Sequence, residues 1–319
     1  MPDSRPEPHL ASPAAGRLEP RRTGDGSLTL WSERFGECFH SGSGAYAEAQ
    51  QKFVLPAGLP RFATGSSLRV LDFCVGLGYN SGALLEAAEQ RGLQLEWIGL
   101  ELDSRPLALA LADAGFRSHW QPDTLAVLQD LRRQGHWCTP AGSRGHWRLG
   151  DARRQLPALV QTHAGHIDLV LHDAFSPGRC PELWSVEVLS ALATLLKPQG
   201  RLLTYCAAAA VRRGLQLAGL EVASIAGPAE AIAPGRRWCH GTAASPTALP
   251  LSGAERDVLQ PLSNMEREHL LTRAAEPYRD PTGSAAAPRL QAERAERQQL
   301  HRGESTSAWR RRWGLERRA

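Results

Sequence analysis

The sequence predicts a doubly wound α/β fold, and three observations carry the prediction. Short apolar runs of strand length alternate with Ala/Leu/Glu-rich helix formers across residues 68–205. The first run, Leu68-Arg69-Val70-Leu71-Asp72-Phe73, ends in a turn with two glycines, Gly76 and Gly78, before a helix former. Acidic residues close the next two strands, at Glu101 and Asp151. Strands alternating with helices build a parallel sheet covered on both faces, with ligands at the carboxyl ends of its strands.

Taken in order, strands are expected at 68–73, 95–100, 147–149, 167–172 and 201–205, with helices over 81–90, 106–114, 151–160 and 182–196. Lys197-Pro198-Gln199-Gly200 reads as a helix stop and turn. A helix over 211–218 then leads to strands at 220–225 and 238–242, joined without a helix and so expected as a closing antiparallel pair. Residues 1–26 mix Pro, Gly, Ser and Arg without periodicity and are expected to be a disordered leader. The main domain then covers 27–244. Its first part, 28–62, holds Trp31, Phe35, Phe39, Tyr46 and Phe53 and reads as an ordered subdomain or lid. Residues 245–319 read as a helical, basic, partly disordered appendage, with helices near 264–275 and 290–300.

Composition sets outer bounds. With 42% hydrophobic and 22% charged residues in 319, the chain has enough apolar material for a substantial core. No run of about 18 apolar residues is present, and residues 1–22 lack the apolar stretch of a secretory signal, so a cytoplasmic location is expected. Six scattered cysteines show no paired metal spacing, so reduced thiols and no metal are expected. The net charge of +4 is carried almost wholly by arginine, the lysines being Lys52 and Lys197. Arginine thickens at Trp309-Arg310-Arg311-Arg312-Trp313 and Arg317-Arg318, a mixture that suits phosphate and exposed bases or simply makes a solubilising tail.

The glycine turn is the first candidate site. In Asp72-Phe73-Cys74-Val75-Gly76-Leu77-Gly78-Tyr79-Asn80, glycines let the backbone bend tightly and approach a ligand. Glu101, 23 residues after Gly78, lies where a carboxylate can accept both ribose hydroxyls. Asp151 can take a hydrogen bond from an adenine amino group. Together they point to an adenosine-containing ligand, held by Asp72, Gly76, Gly78, Asn80, Glu101 and Asp151. Serine at position 81 replaces the third glycine of the dinucleotide fingerprint, against nicotinamide. A second GxG, Ser41-Gly42-Ser43-Gly44-Ala45, follows no strand and is set aside.

Chemistry is expected where the fourth strand ends, at His172-Asp173-Ala174-Phe175-Ser176-Pro177. This run, with Pro181-Glu182-Leu183-Trp184, Lys197-Pro198-Gln199-Gly200 and Val211-Arg212-Arg213-Gly214-Leu215, resembles the methyltransferase domain of the MnmC/MnmD family over about residues 28–242. The resemblance implies a class I, Rossmann-like fold and S-adenosyl-L-methionine as cofactor. It implies methylation of the 5-aminomethyl group of uridine, often 2-thiouridine, at the tRNA wobble position 34. It further implies donor binding at Gly76, Gly78, Glu101 and Asp151, and a catalytic Asp173. Cys74 stands where the family has a glycine, and the flavin-dependent oxidase domain of some members is expected to be absent.

Asp173 is expected to orient the amine and accept its proton, because an ammonium has no lone pair with which to attack. His172 is the alternative base, though a lone histidine ending a strand is more often structural, and Trp184 is expected to pack on the sheet. Phe175 is expected in the pocket wall, and Arg212, Arg213, Arg236 and Arg237 at tRNA phosphates. An aminopropyltransferase acting on a small amine and a non-catalytic RNA-binding scaffold stand as alternatives.

Overall fold

The structure is a computed structural model that describes residues 16–226, 241–250 and 257–315. Strands β1 (Leu18–Arg22), β2 (Leu28–Ser32) and β3 (Glu37–Cys38) form a small antiparallel sheet. Helix α1 (Ala45–Ala49) continues through a π-helical turn, Gln50–Val54, into α2 (Leu55–Ala57). The core follows as β4 (Ser67–Phe73), α3 (Tyr79–Glu89), β5 (Gln94–Glu101), α4 (Arg105–Ala112), α5 (Ala114–Ser118), α6 (Pro122–Gln134), β6 (His136–Cys138) and β7 (Arg144–Leu149). It continues with α7 (Ala152–His163), β8 (Ile167–His172), α8 (Val186–Leu195), β9 (Leu196–Thr204), α9 (Ala209–Leu217), β10 (Glu221–Ile225) and β11 (Gly241–Ser245). The C-terminal segment adds β12 (Leu259–Pro261), α10 (Asn264–His269), α11 (Ala287–Leu300) and α12 (Thr306–Arg312).

The main sheet has the order β12-β10-β11-β9-β8-β4-β5-β7-β6. Its centre, β9-β8-β4-β5-β7, is parallel, and β11 runs antiparallel to both β9 and β10. Period-two alternation in β4 explains how the sheet is covered. Leu68 and Val70 face α3 and α6, whereas Leu71 and Phe73 face α7 and α8. Every residue of β8 is buried, as expected of a central strand with helices on both sides. From β4 the chain winds outward to β5 and β7, then returns to β8 on β4's other flank. The reversal between β4 and β8 opens a crevice at the carboxyl edge, where such folds bind ligands.

Several expectations change. Residues 1–15 lie outside the described residues, but the remainder of the expected leader is ordered: Leu18–Arg22 pairs with β2 in register from Leu18↔Ser32 to Arg22↔Leu28. The expected turn at 197–200 lies inside β9, where a register shift between Ile167↔Leu196 and Leu169↔Arg201 absorbs the extra residues. The helix expected at 106–114 stops at Ala112, because extended Asp113 caps α5 by accepting from Phe116 N. Residues 181–184 form a 3₁₀ turn, and Ser185 caps α8. The closing antiparallel pair is present as β10 and β11, and residues 238–240 of its second expected strand lie outside the described residues. The C-terminal segment is bound to the domain: β12 pairs with β10, and α10 opens with a capping box of Ser263 and Glu266. Among the described residues, no helix is long and apolar enough to cross a membrane.

Cys74 is the non-glycine residue with positive φ, 77°, among the described residues. A Cβ in that region costs about 1–2 kcal/mol. Cys74→Gly is therefore expected to raise the unfolding midpoint, by the equivalent of about 1 kcal/mol. A lower midpoint in thermal denaturation would show that packing of the thiol outweighs the strain.

Candidate active site

Four strand ends converge on a cavity of about 150 Å³. The β4 turn contributes Cys74 and Gly76, β5 and its following loop Glu101, Leu102 and Asp103, the β7–α7 junction Gly150, Asp151 and Arg153, and the loop after β8 Asp173 and Phe175. Opposite them the N-terminal sheet supplies Arg34, Phe35 and Phe39, and Cys180, Glu182 and Leu183 complete the wall.

Gly76 has φ 57°, and a Cβ there would meet the Phe39 ring at 3.3 Å. Its N–H donates to Glu101 Oε2 at 2.8 Å, while Glu101 Oε1 accepts from the N–H groups of Leu102 and Asp103 at 2.7 and 2.9 Å. Burial raises the Glu101 carboxyl against these three donors. A carboxylate offers about four acceptor positions. Backbone donors thus fill three of these positions on Glu101.

Asp151 caps α7, accepting from Arg153 N at 3.0 Å, and pairs with the Arg153 guanidinium at 2.8 Å. Arg153 also reaches Asp280 Oδ2 and the Ala285 carbonyl, each at 2.9 Å. One arginine thus joins the acid at the end of β7 to the C-terminal segment. The acidic edge of Glu101, Asp103 and Asp151, with apolar walls from Leu100, Leu102, Pro106, Ala152 and Leu183, fits a nucleoside with donor hydroxyls and a flat base.

Asp72, Gly78 and Asn80 are not among the residues lining the cavity. Asp72 is fully buried beneath the turn and accepts from Ser81 Oγ at 2.6 Å, and burial pushes its carboxyl up to about 7. Gly78, φ 91°, turns its open side toward Leu128 and Leu107, where a Cβ would sit at 3.1 and 3.3 Å. Its need is close helix packing, a structural demand. Asn80 donates from Nδ2 to Asp173 Oδ2 at 2.7 Å and so holds the expected catalytic carboxylate.

Asp173 leaves β8 with its N–H bonded to the Phe73 carbonyl at 3.1 Å, and its side chain borders the cavity. Burial raises it to about 7, with Glu48 and Asp72 adding to the rise and the Asn80 hydrogen bond and Lys52 opposing it. Over it, Phe175 stacks on Phe35 at 4.2 Å between centroids and meets Phe39 edge-on at 4.8 Å. Ser176 N donates to Glu37 Oε2 at 3.0 Å, tying the loop to the N-terminal sheet.

His172 is fully buried, bonded to the Leu183 carbonyl at 3.0 Å and stacked on Phe73, and burial lowers it to about 4. It is held neutral and does not line the cavity. Trp184 is buried against His172 and donates to the Phe175 carbonyl at 2.7 Å, fixing the β8 loop from below.

Arg212 corrects an expectation. Only 2% exposed, it pairs with Glu266 at 2.8 Å and donates to Thr242 Oγ1, Ser224 Oγ and the Gly241 carbonyl, so RNA cannot reach it. Arg213, one position on, faces outward beside Gln216. Arg236 and Arg237 lie outside the described residues, as do Arg317 and Arg318. The Arg/Trp tail is a docked helix: Trp309 is fully buried on His269, Trp313 donates to Glu268, and Arg312 pairs with Glu304 and Glu268. Among the described residues, no cluster of three or more His, Cys, Asp and Glu side chains is arranged to hold a metal. Sequence reasoning missed Arg34, Arg153, Cys180 and Glu182 as cavity residues. Position 153 lies two residues after a helix cap, 180 directly precedes the Pro181–Trp184 string and 182 lies within it, but only the fold turns them inward.

Residues 143–231 match the S-adenosyl-L-methionine-dependent methyltransferase family. The chain is 31% identical over 208 residues to the tRNA 5-methylaminomethyl-2-thiouridine biosynthesis bifunctional protein MnmC of Azoarcus sp. (strain BH72), covering 61% of this chain and 31% of that protein. It is 32% identical over 217 residues to the protein of the same name from Cupriavidus necator, covering 62% of this chain and 31% of that one. The chain thus spans about a third of the length of these curated relatives. The crystal structure of MNMC2 from Aquifex aeolicus superposes with a TM-score of 0.71 at 26% identity, over 90% of this chain and 87% of that one. By sequence over about three fifths of its length and by fold, the chain is similar to the MnmC proteins, and residues 143–231 match a family of S-adenosyl-L-methionine-dependent methyltransferases.

Proposed function

We propose that the chain methylates the 5-aminomethyl group of uridine or 2-thiouridine at position 34 of tRNA, with S-adenosyl-L-methionine as donor. The observation that carries the reading is Asp173: a carboxylate raised to about 7, held by Asn80 and bordering a cavity roofed by Phe35, Phe39 and Phe175. The names of the similar MnmC proteins supply the substrate class. Gly76, Glu101 and Asp151 would hold the nucleoside part of the donor, while Asp72, Gly78 and Asn80 support the turn and the carboxylate from behind. When bound, the cofactor supplies an electrophilic methyl group.

The protein's own contribution is alignment and proton removal. Asp173, ionised, takes one ammonium proton of the incoming aminomethyl group and passes it to solvent; again a carboxylate, it accepts an N–H of the neutral amine and so leaves the nitrogen lone pair free to face the methyl group. Phe175 and Phe35 exclude water and offer aromatic faces to a pyrimidine. Arg213 remains a candidate phosphate contact by its exposure. The cytoplasm, where tRNA is modified, is the proposed location.

The test is incubation of the protein with S-adenosyl-L-methionine and tRNA from cells lacking this gene, followed by nucleoside mass spectrometry. Conversion of aminomethyl- to methylaminomethyl-uridine supports the reading. Donor binding without conversion would remove the tRNA assignment. A pH profile adds a second check. Activity should fall as pH drops through about 7, where Asp173 takes up its proton. Asn80→Ala removes a bond that favours the ionised form, so the acid limb should move to higher pH. A limb that stays in place would assign the ionisation to another group.

A further inference from the structure

We propose that the turn between β2 and β3 and the loop after β8 form a clamp for RNA phosphodiester, in which Arg34 and Arg179 bind phosphates flanking the target nucleotide. The inference rests on the RNA reading of the site given above and assigns its entry to residues that nothing in the sequence pattern singles out.

Arg34 lines the cavity, with its guanidinium 5.2 Å from the centroid of the Phe35 ring. Arg179 lies against the tip of the β2–β3 turn, its Nη1 3.6 Å from where a Cβ on Gly36 would stand. Both side chains are exposed. Among the described residues neither forms an ion pair, whereas nearby Arg17 and Arg21 turn to Glu19 at 3.3 and 3.8 Å. Two unpaired guanidinium groups therefore stand at the rim of a cavity whose roof is a stacked phenylalanine pair.

The supports are rigid. The two acids flanking the turn are already engaged: Glu33 accepts from Arg17 N at 2.8 Å, and Glu37 accepts from Ser176 N at 3.0 Å, which joins the turn to the β8 loop. That loop is closed by the Arg179 N–H to the Ser176 carbonyl at 2.7 Å and held from outside by Gln291 of α11, which donates to the Gly178 carbonyl at 2.8 Å. Glu182 is the other acid in this part of the wall. Guanidinium binds phosphate bidentately and an aromatic face accepts any base, the combination that single-stranded RNA recognition uses.

The probe is an anticodon stem-loop RNA carrying 5-aminomethyluridine, titrated by fluorescence anisotropy at several KCl concentrations with the donor present. Arg34→Gln and Arg179→Gln should each raise Kd about tenfold, and flatten the slope of log Kd against log salt by about 0.7, the value for one single-strand phosphate contact. For Arg179→Gln, at a position that does not line the cavity, the KM for S-adenosyl-L-methionine and kcat at saturating RNA should stay at wild-type values, and circular dichroism with a thermal midpoint shows that both variants fold. Arg132→Gln, at the far end of α6, should change neither Kd nor slope. If wild type binds and methylates the RNA while both rim variants keep its Kd and slope, the clamp is wrong and the function stands. If wild type itself neither binds nor methylates, the RNA reading fails and takes the clamp with it.

Discussion

Asp173→Asn is expected to lower kcat about 10²- to 10⁴-fold, the range that a positioned general base contributes, with donor affinity unchanged. The replacement is isosteric, and its carbonyl oxygen can still accept from Asn80 Nδ2, so the loop keeps its shape. What disappears is a group that can take a proton near neutral pH. The cost falls on turnover because Asp173 borders the cavity on the β8 side, apart from Gly76, Glu101 and Asp151. Single-turnover nucleoside mass spectrometry together with calorimetric titration of the donor separates the two effects. Wild-type turnover in the variant would reduce Asp173 to a structural residue and support a scaffold role.

The largest effect on stability is expected at Arg212. Arg212→Met should destabilise the fold by about 3–5 kcal/mol, because it leaves Glu266 buried without its counter-charge. Three other acceptors of Arg212, on β10 and β11, lose their donor as well. Replacing both members of the pair by methionine should recover much of the loss, since two apolar groups carry no desolvation penalty. Urea denaturation of the two single variants and the double variant tests this directly. The pH dependence has a definite sign. Burial works against the Glu266 carboxyl, but Arg212, Ser224 and Ser263 overcome it and hold it down at about 2. Its stabilising contribution is therefore complete above the unfolded glutamate value of about 4.3 and is lost as pH falls toward 2. Glu266→Gln should flatten stability over that window.

The parallel core was legible because burial on both faces leaves mostly apolar runs of strand length such as Ile167–His172, and the glycine turn announces its own backbone. The acids at the ends of β5 and β7 were legible for the same reason: position in the alternation predicts place in space. Arg212 and Arg213 show the limit. They are adjacent, identical and helical, yet one is buried and the other faces water, because α9 turns about 100° per residue and only the pairing of β10, β11 and α10 decides which side is covered. Leu18–Arg22 was unreadable as a strand because its partner, not its composition, makes it one. Arg153 joins Asp280 across 127 positions, and no local pattern encodes such a contact.

Arg153 also ties the acid at the cavity to the C-terminal segment. Its guanidinium answers at once to Asp151 at the cavity and to Asp280 in that segment. Any ligand that draws on Asp151 must alter the balance of that three-charge bridge, and by reciprocity the docking of residues 280–285 must alter the ligand's dissociation constant. Limited proteolysis of the segment should accordingly slow when donor is added, and trimming it back to Tyr278 should weaken donor binding with every other cavity residue in place. A stretch remote in sequence and carrying no chemistry of its own thereby becomes a tuning element, through which substitutions in the tail can adjust occupancy of the site without touching it.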